Sequence, residues 1–147
     1  MFERNIEIII RLHINDELAF IDDTRYNGLN QIKILKSHSQ PSVNDSLSEF
    51  DALITDYSGI YIDYLILDKP IAYIPYDYEQ YNKERGFLYD YFDHIAGPIL
   101  NNQNDLEQFI NLESDIYKNK RQSLKKLFHK HDDGKSSERL FNFITNL

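Results

Sequence analysis

The chain has 147 residues, 41% of them hydrophobic, which excludes a disordered polymer and is enough for one domain with a sizeable core. It has no cysteine, so disulfides and thiolate metal sites are excluded and a reducing compartment fits. A formal charge of −8 opposes general adhesion to nucleic acid or to anionic membranes, both of which attract basic surfaces.

Met1-Phe2-Glu3-Arg4-Asn5 does not read as the start of a signal peptide, and apolar runs such as Ile8-Ile9-Ile10 and Leu18-Ala19-Phe20-Ile21 are far short of the ~20 residues of a spanning helix. Ile6 to Leu12 is short and β-branched and predicts a buried strand ending at His13. Asn15 to Phe20 reads as a loop or short helix, and Asp22 to Leu29 as irregular around Asn27-Gly28. Gln31 to Leu35 predicts a second strand. A short helix to Phe50 follows, with Asn44 or Ser46 as its cap.

Ala52 to Thr55 predicts a third strand and Ser58 to Leu67 the helix after it, with Ser58 suited to the cap. Pro70 stops that helix, and Ile71 to Ile74 predicts a fourth strand. Asp77 to Arg85 reads as a helix that Gly86 ends, and Ile99-Leu100 as a short last strand. Three helical segments close the chain, Asn104 to Asn111, Ser114 to Lys130 and Ser137 to Asn146, the last two separated by Asp132-Asp133-Gly134. Strands alternating with helices predict an α/β fold, a Rossmann-like parallel sheet with helices on both faces, in a single domain over residues 1–147.

In such sheets ligands bind beyond the carboxyl ends of the strands. His13, Asp56 with Ser58, and the Tyr76-Asp77 region all fall at such ends. The sharpest of these is Thr55-Asp56-Tyr57-Ser58-Gly59, where an apolar strand meets hydroxyls and a carboxylate and then becomes a helix. Free backbone N–H groups at a helix start favour a phosphate, and glycine lets a ligand approach the backbone closely. An ordinary capped strand-to-helix turn would read the same way. Two further features are open to alternatives. Lys118, Lys120, Arg121, Lys125, Lys126 and Lys130 form either a solvated helix face or a patch for an anionic lipid or polymer. The 11 tyrosines, many between Tyr57 and Tyr91, either line a polar cleft or pack beneath loops, and packing is the default.

An ordered series of motifs narrows the reading. Ile54-Thr55-Asp56-Tyr57-Ser58, Asp63-Tyr64, Asp68-Lys69-Pro70-Ile71, Tyr76-Asp77 with Tyr81, Arg85-Gly86-Phe87 and Gly97-Pro98-Ile99 follow one another at tight spacing. Phe128, Asp133-Gly134-Lys135-Ser136-Ser137 and Arg139 continue the series. Over roughly residues 4 to 147 this resembles the carboxyl-terminal half of the CDP-glycerol glycerophosphotransferase family, the teichoic-acid primases and polymerases. The resemblance implies a GT-B-type enzyme with two Rossmann-like domains facing a cleft, of which this chain is the donor-binding half and the acceptor-side domain is absent or on a partner chain. It implies transfer of glycerol phosphate or a related polyol phosphate from a CDP-activated donor to a hydroxyl of a wall or capsule polymer. It also implies a cytoplasmic enzyme at the inner face of the cell membrane, meeting that membrane peripherally through the whole enzyme.

Residue by residue, the resemblance makes Arg11 and His13 part of a basic-x-His segment at a strand end, with His13 contacting the donor phosphate or assisting the leaving group. Ile14 stands where the family has proline, and Gly59 where it often has a second serine. Ser58 and the amide of Gly59 would hold the pyrophosphate, Thr55 and Asp56 would belong to the same turn, and Asp56 would orient that turn or the donor rather than act as base. Arg139 is read as structural in preference to reaching a phosphate. No Asp-x-Asp motif is present, so neither a metal nor a cofactor is expected. The competing reading is a non-catalytic nucleotide-binding or regulatory module derived from the same family, and a UDP-sugar transferase is a more distant third. Finally, Leu140, Phe141, Phe143, Ile144 and Leu147 are more apolar residues than one narrow helix stripe needs, so the last helix is expected either to self-associate or dock to a partner, or to fold back onto its own domain.

Overall fold

The computed structural model describes residues 6–12, 31–35 and 43–146, and the chain divides into two compact units, Met1–Ser46 and Leu47–Leu147. In the first unit, strand β1 (Ile8–Arg11) pairs in parallel with β2 (Ile32–Leu35), in a register running from Ile8 opposite Ile32 to Arg11 opposite Leu35. Both are the short β-branched runs expected of a parallel pair. Helix α1 (Val43–Ser46) is a single turn. Ser46 does not cap it: this is its last residue, and the hydroxyl donates back to the Val43 carbonyl at 3.1 Å.

The second unit carries β3 (Leu53–Thr55), α2 (Ile60–Tyr64) continued by a 3-10 turn at Leu65–Leu67, β4 (Ile71–Tyr73) and α3 (Tyr78–Glu84). Then come α4 (Gln103–Ile110), α5 (Lys118–Phe128) and α6 (Ser136–Thr145). Strands β3 and β4 are parallel, with Leu53, Ile54 and Thr55 opposite Ile71, Ala72 and Tyr73. On the other side of β4 the chain returns at Ile99, where Tyr73 N–H donates to Pro98 O at 2.9 Å and Leu100 N–H to Tyr73 O at 2.8 Å. Covered on both edges, β4 is buried throughout, which is why Ile71-Ala72-Tyr73 has no polar alternation. The fold class is therefore α/β with parallel strands; among the described residues the pairings form two two-stranded sheets, one in each unit.

Gly97 makes the return to β4 possible. A Cβ there would fall on the Ile71 carbonyl oxygen and stand 2.7 Å from its carbon, so only glycine lets the two backbones approach. Ala72 and Leu100 then pack with Phe109 and Leu106 of α4, which lie three residues apart on one helix face. Asn102 fixes the start of that helix by accepting from the Asp105 N–H at 3.1 Å.

Helix α5 corrects the reading of the basic cluster as a wholly solvated or lipid-facing surface. Arg121, Lys125 and His129 recur every fourth residue, so they share one helix face. That face lies on the carbonyl end of α2 and its 3-10 extension. Arg121 Nη2 donates to Asp68 O at 3.1 Å, Lys125 Nζ to Ile66 O at 3.0 Å and His129 Nε2 to Ile62 O at 2.7 Å. Cations suit the exposed carbonyls of a helix terminus, where the dipole is negative. Arg121, 1% exposed, also grips both oxygens of Asp115, and its Nε donates to Asp68 Oδ1 at 3.2 Å. These bonds hold the Asp115 carboxyl below its usual range and raise the guanidinium above its own. Lys120, another member of the cluster, donates to Phe92 O at 3.4 Å.

Helix α6 is the opposite case. None of its residues is buried, and Leu140, Phe141, Phe143 and Ile144 are each about 60% exposed or more. On a helical projection these apolar residues fall on one side and Glu138, Arg139, Asn142 and Thr145 on the other.

Candidate functional site: the turn after strand β3

Strand β3 ends at Thr55, 9% exposed, whose carbonyl accepts from Ile74 N–H at 2.8 Å and so keeps the two strand ends level. Beyond it the side chains organise the backbone. Asp56 Oδ1 accepts from Ser58 N–H at 3.0 Å, and Ser58 Oγ accepts from Ile60 N–H at 3.4 Å. These side-chain turns reach two residues along the chain, the local bonding that Asp and Ser favour over continued regular structure. The helix cap is Gly59 rather than Ser58; Ser58 stands one position earlier, in contact with the first helical amide. The Ser58 hydroxyl accepts in this bond and keeps its own hydrogen to donate.

Gly59 has φ −62° and ψ −7°, a conformation any residue adopts, and a Cβ placed there would meet nothing within 4 Å. Neither backbone strain nor packing requires glycine here, in contrast to Gly97. What its missing side chain provides is open access to the backbone.

The turn is tied to the rest of the unit by phenols. Tyr91, 5% exposed, donates its hydroxyl to the Asp56 carbonyl at 3.1 Å across 35 residues of sequence. Tyr57 stacks on Tyr81 with ring centroids 4.2 Å apart and meets Tyr91 edge-on at 5.5 Å. Its hydroxyl accepts from Asp77 N–H at 3.3 Å, joining the turn to the segment that follows β4. Burial, with the Asp77 carboxylate adding to it, pushes the Tyr57 phenol up to about 12. Burial likewise raises Tyr91, reinforced by its neighbour Tyr73. One Asp77 oxygen, Oδ1, is buried without a hydrogen bond among the described residues. Tyr57, Tyr64, Tyr73 and Tyr91 thus follow the packing alternative, each with its hydroxyl bonded to backbone, whereas Tyr76 and Tyr89 stay exposed.

Of the residues singled out in the sequence, Thr55, Asp56, Ser58 and Gly59 come together in this one turn. Arg11 closes β1 in the first unit, half-buried, and His13 lies outside the described residues. Arg139 is engaged structurally: Nη1 donates to both Asp133 oxygens at 2.8 Å and Nη2 to Ser136 Oγ at 2.9 Å. The Asp68-Lys69-Pro70 motif is structural too. Lys69 Nζ donates to Ser48 O at 2.8 Å and Phe50 O at 2.7 Å, and Pro70 O accepts from Leu53 N–H at 3.0 Å. Tyr57, which lay inside the quoted motif, and Tyr91 position the turn; Tyr91 was not singled out from sequence, and tyrosine density was its only signal.

Parallel strands each followed by a helix, with the connecting turn at the carboxyl end of the strand, define a Rossmann-like α/β class of domain. Comparison with known proteins is more specific: the chain belongs to the CDP-Glycerol:Poly(glycerophosphate) glycerophosphotransferase family, whose model matches residues 1–146. It is 36% identical over 102 residues to the teichoic acid poly(ribitol-phosphate) polymerase of Bacillus spizizenii, covering 69% of this chain and 16% of that protein. It is 35% identical over 114 residues to the teichoic acid glycerol-phosphate primase of Bacillus subtilis, covering 77% of this chain and 29% of that one. The solved wall teichoic acid polymerase TagF matches with a TM-score of 0.65 and 28% identity over 95% of this chain and 34% of that chain. A second TagF structure, a variant soaked with CDPG, matches with a TM-score of 0.67 and 26% identity. The chain therefore spans between 16% and 29% of the length of these two curated relatives.

Proposed function

We propose that this chain is the donor-binding part of a CDP-glycerol or related CDP-polyol glycerophosphotransferase, acting as one nucleotide-donor-binding domain. The observation that carries this reading is Gly59. It is a glycine that the fold does not need, set beside a hydroxyl with a hydrogen to donate, at the carboxyl end of a parallel strand. In the proposed reaction an acceptor hydroxyl of a wall teichoic-acid or capsule-like polymer attacks the β-phosphorus of the donor. The new P–O bond forms as the bond to CMP breaks, and the acceptor proton leaves to a base outside this chain. Ser58 Oγ–H and the Gly59 amide hold the pyrophosphate, and Asp56 keeps the turn in shape. His13, assisted by Arg11, neutralises the charge developing on CMP, as such a transition state demands. In this reading the acceptor-side domain and the membrane-facing surface of the inner leaflet lie elsewhere in the whole enzyme. Helix α5 spends Arg121 and Lys125 on bonds within the unit and leaves Lys118, Lys126 and Lys130 as exposed cations of its basic cluster.

Titration calorimetry of the chain with CDP-glycerol tests the proposal. Binding is expected to be weak, to be lost in Gly59→Val through blocked backbone approach, and to be reduced in Ser58→Ala. Unchanged affinity in Gly59→Val moves the site elsewhere, and tighter binding of UDP-sugars than of CDP-glycerol removes the CDP assignment. Turnover by the chain with a polymer acceptor eliminates a purely regulatory role.

A further inference from the structure

We infer that Tyr91 is a positioning residue for the donor-phosphate turn: its hydroxyl, bound to the Asp56 carbonyl, sets the orientation of the Asp56–Tyr57 peptide plane. This rests on the proposed role of the turn in holding the donor pyrophosphate. A trans peptide is planar, with C=O and N–H pointing to opposite sides, so fixing one fixes the other. The bond reaches the turn from 35 residues away, at 3.1 Å, from a side chain only 5% exposed.

The hold is rigid because the ring itself is clamped. Tyr91 meets Tyr57 at 5.5 Å, Phe87 at 5.3 Å, Phe92 at 5.3 Å and Tyr73 at 6.2 Å between ring centroids. Asp56 needs such a hold. Its carboxylate is engaged with Ser58 N–H inside the turn, so its own side chain does not anchor the carbonyl to the sheet. Losing the phenol oxygen while keeping the ring frees this peptide plane and leaves the aromatic packing in place. A turn with two accessible peptide orientations binds more weakly, by the fraction of time it spends in the wrong one.

The test compares Tyr91→Phe with Tyr73→Phe. Tyr73 is a matched control, fully buried, whose hydroxyl accepts from Ala96 N–H at 3.3 Å away from the turn. Both variants lose one buried phenol hydroxyl and keep the ring, Tyr91 losing a donor to the turn and Tyr73 an acceptor away from it. Tyr91→Phe is expected to weaken CDP-glycerol binding by about tenfold, the worth of one buried hydrogen bond, whereas Tyr73→Phe leaves affinity within about twofold. In the ¹H–¹⁵N spectrum of the free protein, Tyr91→Phe shifts the amides of Tyr57, Ser58 and Gly59, and Tyr73→Phe does not. Equal loss of affinity in both variants, or unmoved turn amides in Tyr91→Phe, overturns the inference. If the wild type fails to bind CDP-glycerol, the proposed function falls, and the amide shifts still decide whether Tyr91 sets the turn. If Tyr91→Phe does not fold, the wild-type Tyr91 hydroxyl proton decides: CDP-glycerol should slow its exchange with solvent, and unchanged exchange overturns the inference.

Discussion

Replacing Arg121 by methionine is expected to be the most damaging charge-removing change in the second unit. Methionine fills much of the volume of the arginine stem, so the variant chiefly removes the charge and its hydrogen bonds. Those bonds run from a side chain 1% exposed to carboxylates of Asp68 and Asp115 that are 31% and 33% exposed. Removing one partner of a fully buried pair costs about 3–5 kcal/mol. Here the two carboxylates recover part of their hydration, which lowers the expected loss to about 2–4 kcal/mol. For a unit of this size that is a fall in Tm of roughly 10–20 °C, measurable by circular dichroism with urea unfolding beside it.

The same experiment has a pH signature. Asp115 is held below its usual range, first by the hydrogen bond from Arg121, so its ionised form stabilises the fold. That stabilisation is fully present above the ordinary carboxylate value of about 3.9 and disappears as pH falls through the lowered folded value. The gap between wild type and Arg121→Met should therefore be widest near neutrality and narrow below about pH 4. A loss under about 1 kcal/mol at pH 7, the range of an exposed pair, would refute the reasoning, as would a gap that persists unchanged into acid.

Other outcomes follow from single observations. Gly59→Ala should alter stability by less than about 1 kcal/mol, because its φ is ordinary and the space is open, while Gly97→Ala should cost more than about 3 kcal/mol by forcing β4 and the returning chain apart; urea midpoints compare them directly. Tyr57 and Tyr64 should titrate near pH 12 by absorbance of the phenolate. Their neutral forms are the ones burial favours, so stability should hold below about pH 10, the unfolded value, and fall as pH rises toward 12; an alkaline unfolding midpoint unchanged in Tyr57→Phe would contradict this. Phe141→Ser with Ile144→Ser should change the unfolding free energy by no more than about 0.5 kcal/mol per site, since both side chains bury little, and a larger loss would place them in a core.

The order and kind of elements were legible because the strands are short β-branched runs and the segments around β4 are bounded by proline and glycine. Ile71 to Tyr73 begins directly after Pro70 and is followed by a helix that ends before Gly86, with φ +71°. Boundaries moved by a residue or two where local bonds compete. Ser58 has the chemistry of a cap, yet Asp56 Oδ1 takes its amide and shifts the helix start to Ile60. Four candidate residues could be seen together because they adjoin in sequence. Tyr91 could not, since its bond to Asp56 spans 35 residues. The role of Arg121 was hidden for a related reason: Asp68 lies 53 residues away, and in a run of lysines an arginine looks solvated unless the partner at that distance is known. The every-fourth-residue spacing with Lys125 and His129 was visible in sequence, but not what that face would meet.

Asp68 shows how such a contact constrains the inheritance of a sequence. Its φ of 50° is left-handed, a conformation that glycine, asparagine and aspartate accept and other residues resist. Its carboxylate also receives Arg121 Nε at 3.2 Å and Gln122 Nε2 at 3.1 Å. Glycine meets the first demand and leaves Arg121 with one anion fewer, while glutamate keeps the charge and strains the backbone. Few residues but aspartate serve beside Arg121, yet in an Arg121→Met background the demand for charge vanishes and glycine becomes the better choice. The two positions are thus epistatic: the sign of Asp68→Gly depends on residue 121, and neither position can drift freely while the other stays as it is.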